Sequence, residues 1–84
     1  MAYSVYILRS ESGKYYIGQT ADLEDRLARH NNNSSKSTRL KGPWELVISY
    51  ECQSRSEAVL LEGKLKRLKS AAKAIRHLEI LHEK

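Results

Sequence analysis

The run Ser4-Val5-Tyr6-Ile7-Leu8-Arg9-Ser10-Glu11-Ser12-Gly13-Lys14-Tyr15-Tyr16-Ile17-Gly18 decides how the chain folds. Tyr3 to Arg9 and Tyr15 to Gln19 are rich in β-branched and aromatic residues, which fit a pleated, half-buried surface. Ser10, Glu11, Ser12 and Gly13 between them form turns, and Gly13 takes a positive φ at no steric cost. The run therefore predicts a β-hairpin. The chain has 5 tyrosines and no Phe, and Tyr6, Tyr15 and Tyr16 all lie in this hairpin, with Tyr3 beside it. Side chains alternate along a strand, so a pairing that sets Tyr6 opposite Tyr16 puts both on one face. A slip of one residue separates them.

Outward from the hairpin, Thr20 or Asp22 can cap a helix from Leu23 to about His30, with Glu24 and Asp25 favourable in its first turn. At helical spacing Leu23, Arg26, Leu27 and His30 share one face. Arg26 then either meets a partner inside or reaches past the leucines to solvent. Asn31 to Pro43 is polar and without periodicity. It reads as a long loop carrying Lys36, Arg39 and Lys41. Trp44, Leu46, Ile48 and Tyr50 alternate with Glu45, Val47, Ser49 and Glu51, which predicts a third strand with one buried face.

Ser54-Arg55-Ser56-Glu57 has the form of a capping box, and a helix follows to about Lys69. Ala58, Leu61, Leu65 and Leu68 are its apolar stripe. Glu62 lies at the stripe's edge, free to face inward or to pair with Lys66 one turn on. Ser70 opens a last helix with Ala71, Ala74, Ile75, Leu78 and Leu81 inward, leaving His77 and His82 at the surface. The predicted architecture is α/β (α+β): a small, mainly antiparallel three-stranded sheet flanked by helices, in the order β-β-α-β-α-α.

Composition narrows the function. At 84 residues the chain has room for one small core, read as one domain over 1–84. No apolar run is long enough to span a membrane, and no signal peptide is visible. The lone Cys52 suits a reducing, cytoplasmic compartment and reads as a small apolar residue. The net charge is +5, which favours a polyanionic partner. It is unevenly spread: Lys64, Lys66, Arg67, Lys69, Lys73 and Arg76 fall between Glu62 and Glu79 with no acid among them.

Val5-Tyr6, Tyr16-Ile17-Gly18, Arg26, His30 and Glu62, in this order and on these elements, resemble the GIY-YIG nuclease family. The likeness is to small stand-alone members related to the nuclease domain of the bacterial excinuclease C subunit, and it covers nearly the whole chain. The first motif departs from the pattern, reading Ser4-Val5-Tyr6 in place of Gly-Ile-Tyr, but it keeps the Tyr. The resemblance implies the same fold and a metal-dependent endonuclease that acts on DNA, in a structure- or repair-related role. By position it implies Tyr6, Tyr16, Arg26 and His30 as catalytic residues and Glu62 as the ligand of one Mg²⁺ or Mn²⁺ ion. Tyr6 would activate or orient the attacking water. Tyr16 would hold water or phosphate, and Arg26 would bind the scissile phosphate through its donor fork. His30 would either supply positive charge beside Tyr6 or take the proton itself. Some relatives carry an Asn about three helical turns after the metal Glu; Lys73, Ala74 and Ile75 stand there in this chain.

Lys36, Arg39 and Lys41 are the expected nucleic-acid contacts of the loop. A module of the same fold that binds nucleic acid without cleaving it is the alternative, separated by metal-dependent turnover. A protein-interaction domain using the basic helices would bind its partner without salt dependence. A Ser or Cys hydrolase is disfavoured, since no recognisable motif places a His to activate Cys52.

Overall fold

The computed structural model describes residues 2–31 and 43–83. Strands β1 (Tyr3–Ser10) and β2 (Tyr15–Thr20) form the hairpin. Helix α1 (Leu23–Asn31), strand β3 (Trp44–Cys52) and helices α2 (Arg55–Arg67) and α3 (Ala71–His82) follow. The element order is the one predicted. Among the described residues the sheet has the order β2-β1-β3 and both pairings are antiparallel. Lys36, Arg39 and Lys41 lie outside the described residues.

The turn closes as its composition demands. Gly13 sits at φ 87° and donates its N–H to the Ser10 carbonyl at 3.0 Å. The Ser10 hydroxyl accepts the Lys14 N–H at 3.0 Å, so this nearly buried side chain is satisfied. Of the two possible caps for α1, Asp22 is the one used: its Oδ1 accepts the Asp25 N–H at 3.1 Å, while Thr20 Oγ1 accepts the Asp22 N–H. Ser54 caps α2 by accepting the Glu57 N–H, and Glu57 reaches back to the Gln53 N–H at 2.9 Å. Ser70 caps α3 in the same way through the Lys73 N–H.

The central strand β1 is buried on both faces. Val5 and Ile7 face α2 and α3, with Ala58, Leu65, Ala74 and Leu78 fully or almost fully buried against them. Tyr6 and Leu8 face the other way, with Trp44, Leu23 and Leu27. The sheet is thus a middle layer between α1 on one side and α2 and α3 on the other. Each fully buried aliphatic side chain of β1 contributes ~1.5–3 kcal/mol by leaving water.

β3 corrects the alternation read from its sequence. Ile48 pairs with Ile7 and Tyr50 with Val5, but Leu46 pairs with Leu8 and Trp44 with Ser10. One residue, Val47, is therefore extra, a β-bulge that moves the strand from one parity to the other. Ile48 and Tyr50 pack with the α2–α3 core, whereas Trp44 packs with Tyr6 and Leu8. The four residues do not share one face.

Candidate active site

β1 and β2 set two tyrosines on the α1 face. Tyr6 pairs with Gly18 and Leu8 with Tyr16, so Tyr6 and Tyr16 stand diagonally on one face, not directly opposite. Their ring centroids are 6.2 Å apart. The Tyr6 ring lies over its partner Gly18. A Cβ there would come within 2.6 Å of the Tyr6 hydroxyl oxygen, 2.8 Å of its Cζ and 3.0 Å of Tyr16 Cε1. Only a residue without a side chain allows this stacking, which accounts for the glycine of Tyr16-Ile17-Gly18.

α1 brings in Arg26 and His30. His30, in its last turn, is fully buried, and its Nε2 lies 3.1 Å from the Tyr6 hydroxyl. The His30 ring centroid is 4.7 Å from that of Tyr16 and 5.9 Å from that of Tyr6. Burial, and then the Arg26 guanidinium, push the His30 pKa below its ordinary value. The lowered pKa favours a neutral imidazole, which shares a hydrogen bond with the Tyr6 hydroxyl through Nε2. Burial, and then the neighbouring Tyr16, raise the Tyr6 pKa; Arg26 opposes this and Glu62 adds to it. Tyr6 is therefore a protonated phenol at neutral pH. His30 is thus held toward the neutral form, not the charged form that the first of its two implied roles requires.

Arg26 is half-buried and, among the described residues, forms no ion pair with a carboxylate. Its charge instead acts on Tyr6 and His30. Glu62 comes from α2, and its carboxylate adds to the rise in the Tyr6 pKa. Among the described residues it pairs with Lys66 Nζ in a loose contact at 3.9 Å. Tyr6 and His30 keep 1% and 0% of their exposure, while Tyr16, Arg26 and Glu62 are partly exposed. The hairpin and α1 bring Tyr6, Tyr16, Arg26 and His30 together, and Glu62 comes from α2.

Two supporting residues were not singled out from the sequence for this site. Trp44 packs against Tyr16, ring centroids 6.3 Å apart, because the Val47 bulge turns it to this face. Asn31 Oδ1 accepts the Trp44 backbone N–H at 2.6 Å, tying α1 to the start of β3. No motif in a single sequence marks either one. Of Lys73, Ala74 and Ile75, Ala74 is fully buried in the α2–α3 core and Lys73 is exposed.

Among the described residues no group of three or more His, Cys, Asp or Glu converges as a metal cage. Glu62 offers a partly exposed carboxylate whose contact with Lys66 is loose. That suits Mg²⁺, which keeps several waters and takes one or two carboxylates plus substrate oxygens. Among the described residues, no helix is long and apolar enough to cross a membrane.

Comparison with known proteins gives a consistent result. The family model for the GIY-YIG catalytic domain matches residues 2–75. A UPF0213 protein of Streptococcus pneumoniae serotype 4 is 40% identical over 70 residues, which is 82% of this chain and 71% of that protein. The UPF0213 protein VNG_2274C of Halobacterium salinarum is 37% identical over 82% of this chain and 91% of its own length. Among solved structures, the protein EF2693 of E. faecalis superimposes with a TM-score of 0.67 at 30% identity, covering 100% of this chain and 90% of that one. The UPF0213 protein BH0048 of Bacillus halodurans gives 0.58 at 33% identity, over 95% and 85%. These names state no activity. The motif tyrosines, the glycine beneath them, the element order and the extent of the match agree, and this chain belongs to the GIY-YIG family of nuclease catalytic domains.

Proposed function

We propose that the chain is a metal-dependent endonuclease that hydrolyses the DNA backbone, in a structure- or repair-related role in the cytoplasm, with one Mg²⁺ or Mn²⁺ held by Glu62. The observation that carries this reading is the buried Tyr6–His30 hydrogen bond, with the Arg26 guanidinium acting on the same pair. Arg26 holds the scissile phosphate in its donor fork. Tyr16 positions water or phosphate. The attacking water gives its proton to the Tyr6 oxygen as Tyr6 passes its own to His30 Nε2, so no free phenolate is required. The cation, when bound, supplies positive charge to the phosphoryl and leaving oxygens. Lys36, Arg39 and Lys41 contact the DNA backbone outside the site.

One observation favours the alternative, a module of this fold that binds nucleic acid and cleaves nothing: Tyr6 keeps only 1% of its exposure. A panel of branched, flapped and plain duplex DNAs, incubated with and without Mg²⁺, separates the two. Glu62→Gln locates the cation. Cleavage in Mg²⁺ is expected to fall by orders of magnitude, because the charge it supplies acts in the transition state. The melting temperature and the DNA affinity in Ca²⁺ are expected to hold. Cleavage at the wild-type rate would remove Glu62 from the role. Loss of folding with loss of cleavage would make Glu62 a structural carboxylate.

A further inference from the structure

On the far side of β2 from Tyr6, a second feature begins where the candidate site ends. Alternation turns Tyr15 and Ile17 toward α2 and α3, opposite in sense to Tyr16. Between them and the α2–α3 turn lies an open cleft of ≈ 390 Å³, lined by Tyr15, Tyr16, Ile17, Lys66, Lys69 and Ser70 among others. Tyr16 belongs to both the cleft and the site.

The lining is unusual in two ways. Tyr15 keeps 43% of its exposure, the most exposed aromatic ring on the described surface, in a chain where aromatic residues are 7% of the total. Lys66 and Lys69 flank it, and among the described residues their charge is offset by the loose Glu62 contact of Lys66. Lys66 lies one helical turn beyond Glu62, about 6 Å along the axis. Lys69 follows at φ 54°, a left-handed conformation that is strained for a side-chain-bearing residue and that Gly or Asn would adopt more easily. The turn thus holds a Lys where backbone geometry alone favours Gly. A flat π-face beside two ammonium groups suits an unpaired base and its phosphates: stacking is indifferent to base identity, and the lysines follow the backbone. A base inside a duplex has no free face to offer.

We propose that this cleft holds an unpaired nucleotide of the DNA substrate next to the scissile phosphate, its base on Tyr15 and its phosphates on Lys66 and Lys69. The proposal rests on the nuclease reading for the word substrate, but the subsite itself is tested by binding alone.

The test is fluorescence anisotropy in EDTA, where nothing is cut, with labelled oligo-dT and a blunt hairpin duplex as probes. Tyr15→Ala is expected to weaken oligo-dT binding by a factor of ~5 to ~100 and to leave the duplex Kd unchanged, while Tyr15→Phe retains both. Lys69→Gly is expected to raise the melting temperature by relieving the left-handed strain, and yet to weaken oligo-dT binding and reduce its salt dependence. A wild-type protein that does not bind oligo-dT overturns the proposal. So does a Tyr15→Ala variant that loses both probes equally or neither. If oligo-dT binding behaves as expected but no DNA is cut in Mg²⁺, the nuclease reading fails and the subsite stands.

Discussion

The Tyr6 hydroxyl and His30 Nε2 lie 3.1 Å apart, joined across 24 residues of chain. Burial and Arg26 both hold His30 toward its neutral form. If neutral His30 receives the proton, cleavage falls as pH drops through its lowered pKa, so the acid limb of kcat/KM lies below 6.5, the ordinary His value. His30→Gln, which cannot titrate, abolishes that limb and most of the rate. A limb centred at or above 6.5 contradicts the assignment. Stability follows with the same sign. Below about pH 6.5 the unfolded His30 binds a proton that the folded one resists, so stability is full above that pH and is lost as pH falls toward the folded value. The melting temperature of the wild type should drop between about pH 7.5 and 5.5, and that of His30→Gln should drop less.

Gly18 and Tyr6 form the second relationship to be measured. Ala at position 18 meets the Tyr6 hydroxyl oxygen at 2.6 Å, inside a ring packed on all sides. Gly18→Ala is expected to cost about 1–3 kcal/mol, the usual range for overpacking. Tyr6→Phe removes the nearest atom of the clash, so Gly18→Ala should cost less in that background. A double-mutant cycle by urea unfolding reads the coupling. Additive losses would mean that the Tyr6 ring is not what constrains position 18.

Much of this was legible in the sequence, for identifiable reasons. Ser10 to Gly13, Asp22, Ser54 and Ser70 act within a few residues, so local chemistry sets the turn and the caps. Helical periodicity placed Arg26 and His30 on the α1 face toward the sheet. It did not decide whether Arg26 had a partner, which depends on neighbours distant in sequence. The hairpin register was legible only as parity: Tyr6 and Tyr16 share a face, but the diagonal offset that makes Gly18 necessary is a matter of packing. β3 misled because Trp44 to Tyr50 alternates without a break, while the bulge at Val47 divides it between two cores. Val is an ordinary strand residue and carries no bulge signal.

Arg26 offers a prediction that separates charge from geometry. Its guanidinium lowers the His30 pKa, so Arg26→Ala should raise that pKa, read as the imidazole shift in an NMR titration. Arg26→Lys keeps the cation and should leave the titration near that of the wild type. The fork is lost, however, so phosphate binding and cleavage should fall with both substitutions. Stability should change little with either, because no carboxylate among the described residues is left unpaired. An unchanged His30 titration in Arg26→Ala would show that Arg26 does not act on the buried pair.

The bulge at Val47 yields the least intuitive expectation. Removing one residue from a regular strand flips every side chain beyond it to the other face. Here Val47 is the residue without a partner in β1, and it is 40% exposed. Its deletion brings Leu46 next to Ile48 and leaves each paired with Leu8 and Ile7 as before. Trp44 should therefore stay opposite Ser10 and against Tyr16, and as the chain's 1 Trp it reports its own surroundings. The deletion variant should keep the blue-shifted emission of a buried indole. Its loss of stability should stay below the ~3–5 kcal/mol that removing a buried aromatic side chain costs. Were β3 regular, the same deletion would carry Trp44 away from Tyr16 into the other layer, shift its emission to the red and cost that full amount. A red shift with such a loss would show that the parity of β3 does not change at Val47.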